Sequence, residues 1–349
     1  MTARYPLVLN GTQIQELQAG DSLIGDFLLY GVFKKDVPRQ RLLTAPTATT
    51  LAIQTKLWVE VGGLLMSFNS GTSIVMPALT AGNDYAVYAC TDGTLRADSN
   101  FSAPTGYTTA NSRFIGSAHY APGGNATAQS GGNTTPAFNP YSLFDLTYRP
   151  SRKDWRGMTV DPGEGFCGMI YLLNTDPGVN GASKYNVTIA DGSSPPKIPT
   201  QFGGNGSTAY GDFNHWTACE VLAANGMRPP SPREFAALAF GSTEASSIGT
   251  DQGSTILNAA YTSKCGIIQA TGVMYVWGDE FGGGTAGAAW TANTGGRGST
   301  YQMENAVGLG GGWGGGANSG SRCSIWPNSP AVSSNYFGAR GVCDLLILD

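Results

Sequence analysis

Apolar and polar positions alternate in short runs through the first two-fifths of the chain, and helical spacing begins only later. Tyr5 to Leu9 is a brief strand-like run closed by the polar turn Asn10-Gly11, and the stretch from Asp21 to Phe33 ends in a mostly apolar run. Leu57-Trp58-Val59-Glu60-Val61 and Tyr85-Ala86-Val87-Tyr88-Ala89 have the period-two or continuous β-branched and aromatic character of strands. Gly62-Gly63, Gly82-Asn83-Asp84 and Asp92-Gly93 supply turn chemistry between such runs. The pattern predicts a small N-terminal β module over residues 1–45 and an all-β, sandwich-like or strand-rich domain over 46–138. Ala121 to Phe138, rich in Gly, Asn, Thr and Pro, reads as a linker or long loop.

From about Asn139 the periodicity changes. His215 to Ala224 places Ala218, Val221 and Leu222 on one helical face. Ser231-Pro232-Arg233-Glu234 is a capping box: Ser at the N-cap, Pro at the first helical position and Glu at the third. Phe235, Leu238 and Ala239 then form an apolar face, and Gly241 ends the helix. Gly-rich loops follow, and Gly341 to Leu348 reads as a closing strand. This third region, 139–349, is expected to be α+β.

Composition narrows the function classes. Charged residues are only 13% of the 349, against roughly a quarter in an average globular protein, and the 50 glycines are about twice the usual share. A net charge of −4 without a Lys/Arg cluster argues against a nucleic-acid partner. No run approaches the roughly 20 apolar residues of a membrane-spanning helix, so no membrane insertion is expected. The opening Met1-Thr2-Ala3-Arg4-Tyr5-Pro6 lacks a signal-peptide core. Cys90, Cys167, Cys219, Cys265, Cys323 and Cys343 form no Cys-x-x-Cys pair, and the two histidines, His119 and His215, flank no such pair. Free buried thiols are therefore expected over a zinc site or disulfides. His215 is expected to pack at its helix start, and Arg340, between glycines, to donate hydrogen bonds to loop carbonyls. Asp279-Glu280 is the one weak metal candidate, for Ca²⁺; otherwise no cofactor is expected. No Ser/His/Asp arrangement, clear catalytic carboxylate pair or phosphate loop is present, so the chain is not expected to be an enzyme.

Three segments carry a resemblance to the C-type-lectin fold, in the branch shared with formylglycine-generating enzymes. Arg228-Pro229-Pro230-Ser231-Pro232-Arg233-Glu234-Phe235 resembles that branch's helix opening. Tyr275-Val276-Trp277-Gly278-Asp279-Glu280 resembles its Trp-Gly-Asp/Glu loop. Gly310-Gly311-Gly312-Trp313 with Gly338-Ala339-Arg340-Gly341-Val342 resembles its closing strands. The end is more specific: Gly320-Ser321-Arg322-Cys323, Trp326, and Gly338 through Asp349 resemble the C-terminus of the phage major tropism determinants, the variable proteins of diversity-generating retroelements. The opening ARYPLVLNGTQIQELQAGDSL is similar to the start of many phage tail-fibre proteins, which implies an attachment role for residues 1–45.

The tropism-determinant resemblance implies a variable region at about 310–343. Its diversified positions fall on Gly312, Gly314, Gly315, Gly316 and Asn318, then on Ile325, Pro327, Asn328, Val332, Ser334, Tyr336 and Phe337. Adenine replacement in Asn-type codons cannot produce Trp, Met, Lys, Gln or Glu, and none of these stands there. Trp313, Arg322, Trp326 and Arg340 would form the scaffold that holds these neighbours outward, much as antibody loops vary on a fixed frame. The implied function is a tail-fibre receptor-binding protein at the virion's fibre tip, a homotrimer beside other tail-fibre proteins, that binds a bacterial cell-surface protein or glycan. A formylglycine-generating-type oxidase using Cys323 and Cys343, and a purely structural fibre protein, are the alternatives.

Overall fold

The computed structural model describes residues 7–10, 13–16, 31–282, 290–292, 299–301 and 305–348. The fold is mostly β with few helices. Strands β1 (Leu7–Asn10) and β2 (Gln13–Glu16) form a hairpin closed by the pair Asn10 and Gln13, where the Asn10-Gly11 turn is expected. Tyr5 and most of the Asp21–Phe33 run lie outside the described residues.

Nine strands follow: β3 (Phe33–Lys35), β4 (Leu43–Thr47), β5 (Thr50–Ile53), β6 (Leu57–Val61), β7 (Leu64–Phe68), β8 (Asn83–Cys90), β9 (Leu95–Asp98), β10 (Ser112–Ala121) and β11 (Ala137–Phe138). The runs expected at Leu57–Val61 and Tyr85–Ala89 are β6 and the centre of β8. Gly62 and Gly63 join β6 to β7 with φ of 59° and 82°. A two-residue hairpin turn of this hand needs positive φ at both positions, which is why a glycine pair stands there. Leu42, Leu57, Val59, Tyr85, Val87 and Ile115 are buried in the first apolar cluster.

The second half contributes β12 (Phe144–Asp145), β13 (Tyr148–Pro150), β14 (Met158–Val160), β15 (Phe166–Met169), a single helical turn α1 (Pro177–Asn180), α2 (His215–Ala224) and α3 (Pro232–Ala239). Then come β16 (Tyr275–Gly282), β17 (Trp290–Ala292), β18 (Ser299–Tyr301), β19 (Asn305–Leu309), β20 (Ser324–Asn328), β21 (Phe337–Gly338) and β22 (Val342–Ile347). Both expected helices form. Ser231 Oγ accepts from Glu234 N at 3.2 Å, and Glu234 Oε2 accepts from Ser231 N at 2.9 Å, the reciprocal capping box. The buried face of α2 includes Ala218, Val221 and Leu222.

One nine-stranded sheet runs in the order β14-β15-β22-β13-β12-β10-β8-β9, with β11 also on β10. The closing strand β22 is central: Cys343 lies opposite Cys167 of β15, and Leu346 opposite Arg149 of β13. A second sheet, order β20-β19-β16-β21, carries the C-terminal candidate surface.

The structure bears on three organisational expectations. A division at 45/46 falls inside β4, and one at 138/139 falls inside the nine-stranded sheet; the apolar clusters separate between Leu143 and Phe144. That junction is stitched by Asp145, which forms a fully buried ion pair with Lys35 at 3.1 Å and accepts from the backbone N–H of Leu42, Thr147 and Tyr148. A buried charge must be paired and hydrogen-bonded, and this one is. The stretch after Ala121 is a long loop but not a free linker. Its backbone donates from Ala126 to Ser263, from Gly131 to Gly241 and from Gly132 to Ala259. Finally, Tyr275–Glu280 is strand, not loop, with a register shift between Trp277 and Phe281, and Gly310–Trp313 is the turn after β19.

Candidate receptor-binding surface

The surface is built on a buried cation. Arg340, between β21 and β22, is 1% exposed. Its Nη1 donates to the carbonyls of Met169 and Ile170, both at 2.7 Å, and its Nη2 to those of Ile268 and Gln269 at 2.9 and 3.2 Å. Burial lowers its pKa to about 9, which leaves it charged at neutral pH. A planar fork of donors suits two adjacent pairs of carbonyls, and it ties the residues before β22 to the end of β15 and to the loop before β16. The donor role expected from its glycine neighbours is what the geometry shows.

Above this clamp, β21 pairs parallel with β16, Phe337 beside Tyr275. The Phe337 ring stacks on Trp277 with centroids 4.1 Å apart and on Tyr275 at 5.4 Å. Phe337 is buried, so its expected outward position is corrected: pairing with β16 turns the ring into the core. Tyr336, one residue earlier, is 36% exposed and stacks on Trp313 at 4.3 Å.

The Gly-rich turn is a packed element. Gly310 N donates to Cys323 O, Gly320 N to Gly310 O, Gly249 N to Trp313 O and Gly316 N to Ser247 Oγ. Gly311 has φ of 90°, and a β-carbon there would sit 2.2 Å from Ser319 Oγ. Gly312 is buried, which corrects its assignment to the outward set. A β-carbon on it would lie 3.1 Å from both the Tyr275 and Tyr336 rings, whereas one on Gly314 would meet Tyr336 at an ordinary 3.5 Å. These positions are sterically coupled. Gly312→Val is expected to push Tyr336 off Trp313 and to cost about 1–3 kcal/mol. Gly314→Ser is expected to stay within about 0.5 kcal/mol. Urea denaturation of both variants checks this; equal stability would show that the stack does not depend on Gly312.

Of the remaining sequence-derived positions, Gly314, Gly316, Asn318 and Pro327 are exposed, and Gly315, Ile325, Asn328, Val332 and Ser334 are half-buried. Ile325 and Val332 pack partly against the second cluster. The four scaffold residues divide. Trp313 and Trp326 are half-buried, so truncating either removes less core than a fully buried tryptophan would. Trp326 covers Gly282 and donates Nε1 to Ser324 Oγ at 3.3 Å. Arg322 is exposed beside Phe240, Glu244 and Ser321 at the edge of an open hollow, outside the frame it was expected to support. Composition and spacing had no signal for Trp277 and Tyr275, the two rings on which the site rests, beyond their place in the Tyr275–Glu280 segment.

His215 packs at its helix start as expected: it is buried, its Nε2 lies 2.9 Å from Gly278 O, and its ring meets Trp277 edge-on. Burial lowers its pKa, outweighing that hydrogen bond, which acts to raise it. Asp279 and Glu280 are exposed on the bulged part of β16, and burial followed by repulsion from Glu234 raises Asp279. Among the described residues no three His, Cys, Asp or Glu side chains converge as metal ligands. All six cysteines are free. The oxidase alternative needs Cys323 beside Cys343, but Cys343 faces Cys167 in the larger sheet, and Cys323 precedes β20 of the smaller one. Among the described residues no helix is long and apolar enough to cross a membrane.

Residues 41–145 match the family model for the Mtd second domain. The chain is 53% identical over 309 residues to the tail fiber receptor-binding protein of Bordetella phage BPP-1, covering 86% of this chain and 81% of that one. Among solved structures it superposes on the Major Tropism Determinant P3c variant with a TM-score of 0.93, 46% identity, and coverage of 99% and 96% of the two chains. The M1 variant gives 0.89 and 50%, covering 91% and 86%. With the clamp, the stacked rings and the packed glycine turn in place beneath an exposed rim, and with relatives this similar along most of its length, the chain belongs to the major tropism determinant family.

Proposed function

We propose that this chain is a phage tail-fibre receptor-binding protein, carried at the fibre tip of the virion, which attaches to a bacterial cell-surface protein or glycan. Its contact surface comprises Gly314, Gly315, Gly316, Asn318, Ile325, Pro327, Asn328, Val332, Ser334 and Tyr336. The observation that carries this reading is the contrast within one segment. Buried, hydrogen-bonded or stacked residues such as Gly312, Phe337 and Arg340 lie beside exposed ones such as Gly314, Gly316, Asn318, Pro327 and Tyr336, so the exposed side chains can change without disturbing the core. The C-terminal region is read as a C-type-lectin-like domain. Helix α2 docks on β16 through His215 to Gly278 O, and the segment leading into α3 docks there through Pro230 O, which accepts from Asp279 N, in support of that arrangement. The modules before it serve as strand-rich spacers and attachment.

Small, glycine-rich side chains make each patch weak. A homotrimer at a fibre tip presents three linked patches, and linkage raises effective concentration. No cofactor or catalytic step enters this reading. Tyr336 supplies the largest side chain on the rim and is the anchor. Tyr336→Ala in the assembled virion is expected to slow adsorption to the host strain at least tenfold, equivalent to about 1.4 kcal/mol, with an unchanged urea midpoint. Adsorption that persists in the combined Asn318→Ala, Pro327→Ala, Tyr336→Ala variant would sink the proposal.

A further inference from the structure

Two of the six free thiols face each other. Cys167 of β15 and Cys343 of β22 are register partners on neighbouring antiparallel strands. Directly opposed residues of such a pair have α-carbons about 4.5 or 5.5 Å apart, and their side chains leave the same face of the sheet. A disulfide needs about 4.4–6.8 Å, so either spacing fits without moving the backbone. Both side chains lie in the second apolar cluster, at 0% and 4% exposure. Cys343, though buried, lines an open hollow of about 360 Å³ with Ser151, Gly226, Met227 and Arg228.

We propose that Cys167 and Cys343 form a dithiol site that closes to an intrachain disulfide by exchange with a low-molecular-weight organic disulfide, pinning the closing strand to β15. Cys343 acts first, as a thiolate. The Cys167 thiol hydrogen-bonds to it and lowers its pKa, and the nearby Arg152 guanidinium and Ser151 hydroxyl act in the same direction. The Cys343 sulfur attacks one sulfur of RSSR, forming a mixed disulfide and releasing RS⁻. Cys167 then loses its proton and attacks the Cys343 sulfur, releasing the second RS⁻. The two protons from the protein's thiols leave on the two RSH, and two electrons pass from the cysteines to RSSR. In reducing surroundings the pair stays open; outside them it closes.

The bond would tie together residues about 175 positions apart, so it strongly restricts the unfolded chain. It would also hold the strand that begins two residues after Arg340.

The test treats the folded full chain with bis(2-hydroxyethyl) disulfide, then counts alkylatable thiols after unfolding and maps the linked peptides. The expected result is four remaining thiols of six, one linked peptide pair containing Cys167 and Cys343, and a thermal midpoint raised by about 5 °C or more, restored by dithiothreitol. Cys167→Ser should stop at a single adduct on Cys343, and Cys343→Ser should gain neither adduct nor bond. Six thiols remaining, an adduct on Cys343 that never closes in the parent chain, or a bond between other cysteines would overturn the proposal.

Discussion

Arg340→Met should leave little or no soluble folded protein. The guanidinium donates to four carbonyls of two separate segments from a fully buried position. Methionine fills much of the volume and donates nothing. Ile170 O keeps its backbone bond from Ile268 N, but each buried carbonyl left without a partner costs about 1–3 kcal/mol, and the other three together reach well into the stability of a typical domain, about 5–15 kcal/mol. Arg340→Lys should be intermediate, because an ammonium is a single point of donation and cannot span two carbonyl pairs as the planar fork does. Soluble yield and urea denaturation measure both. An unfolding free energy for Arg340→Met within about 1 kcal/mol of the parent would mean that these carbonyls are satisfied another way.

Phe337→Ala should cost about 3–5 kcal/mol in stability, whereas Tyr336→Ala beside it should cost little. The two aromatics are neighbours in sequence and opposite in environment. Phe337 is sandwiched against Trp277 and Tyr275 under the sheet, at 4% exposure. Tyr336 lies across Trp313 with its edge in solvent. Any attachment defect in Phe337→Ala should therefore track loss of the folded fraction, while that of Tyr336→Ala should not. A double-mutant cycle of Phe337→Ala with Trp277→Leu isolates the stacking, expected at about 0.5–1.5 kcal/mol beyond area burial. No coupling in the cycle, or a stable Phe337→Ala, would place that ring outside the core.

Local chemistry was legible where it acts locally. The Ser231/Glu234 capping box requires only four consecutive residues, and it formed as read. The strands at Leu57–Val61 and Tyr85–Ala89 and the glycine pair at 62–63 follow from period and φ. Arg340 was legible as a donor because an arginine in a short Gly-Ala-Arg-Gly stretch, beside small residues, has its guanidinium close to backbone carbonyls. The variable segment came only from the resemblance of the chain's end to the tropism determinants, and it stands as a proposal. What spacing could not say was which side of each residue faces water. Strand alternation predicts opposite faces for Tyr336 and Phe337, but not which of them is inside.

The chain's own order of residues was enough for the strand-rich character, the two helices and the capping box of the second, because turn chemistry, periodicity and capping act within a few residues. Tertiary structure alone decided that Phe337 is core and Tyr336 rim, that Arg322 stands outside the frame, that the loop after Ala121 is packed, and that Cys343 meets Cys167. Each of those depends on the pairing of distant segments: β21 with β16, β22 with β15, and the 121–138 loop with residues 241–263. Such pairing selects one face of an extended chain for burial, a choice made by the partner's position in space and not by the segment itself.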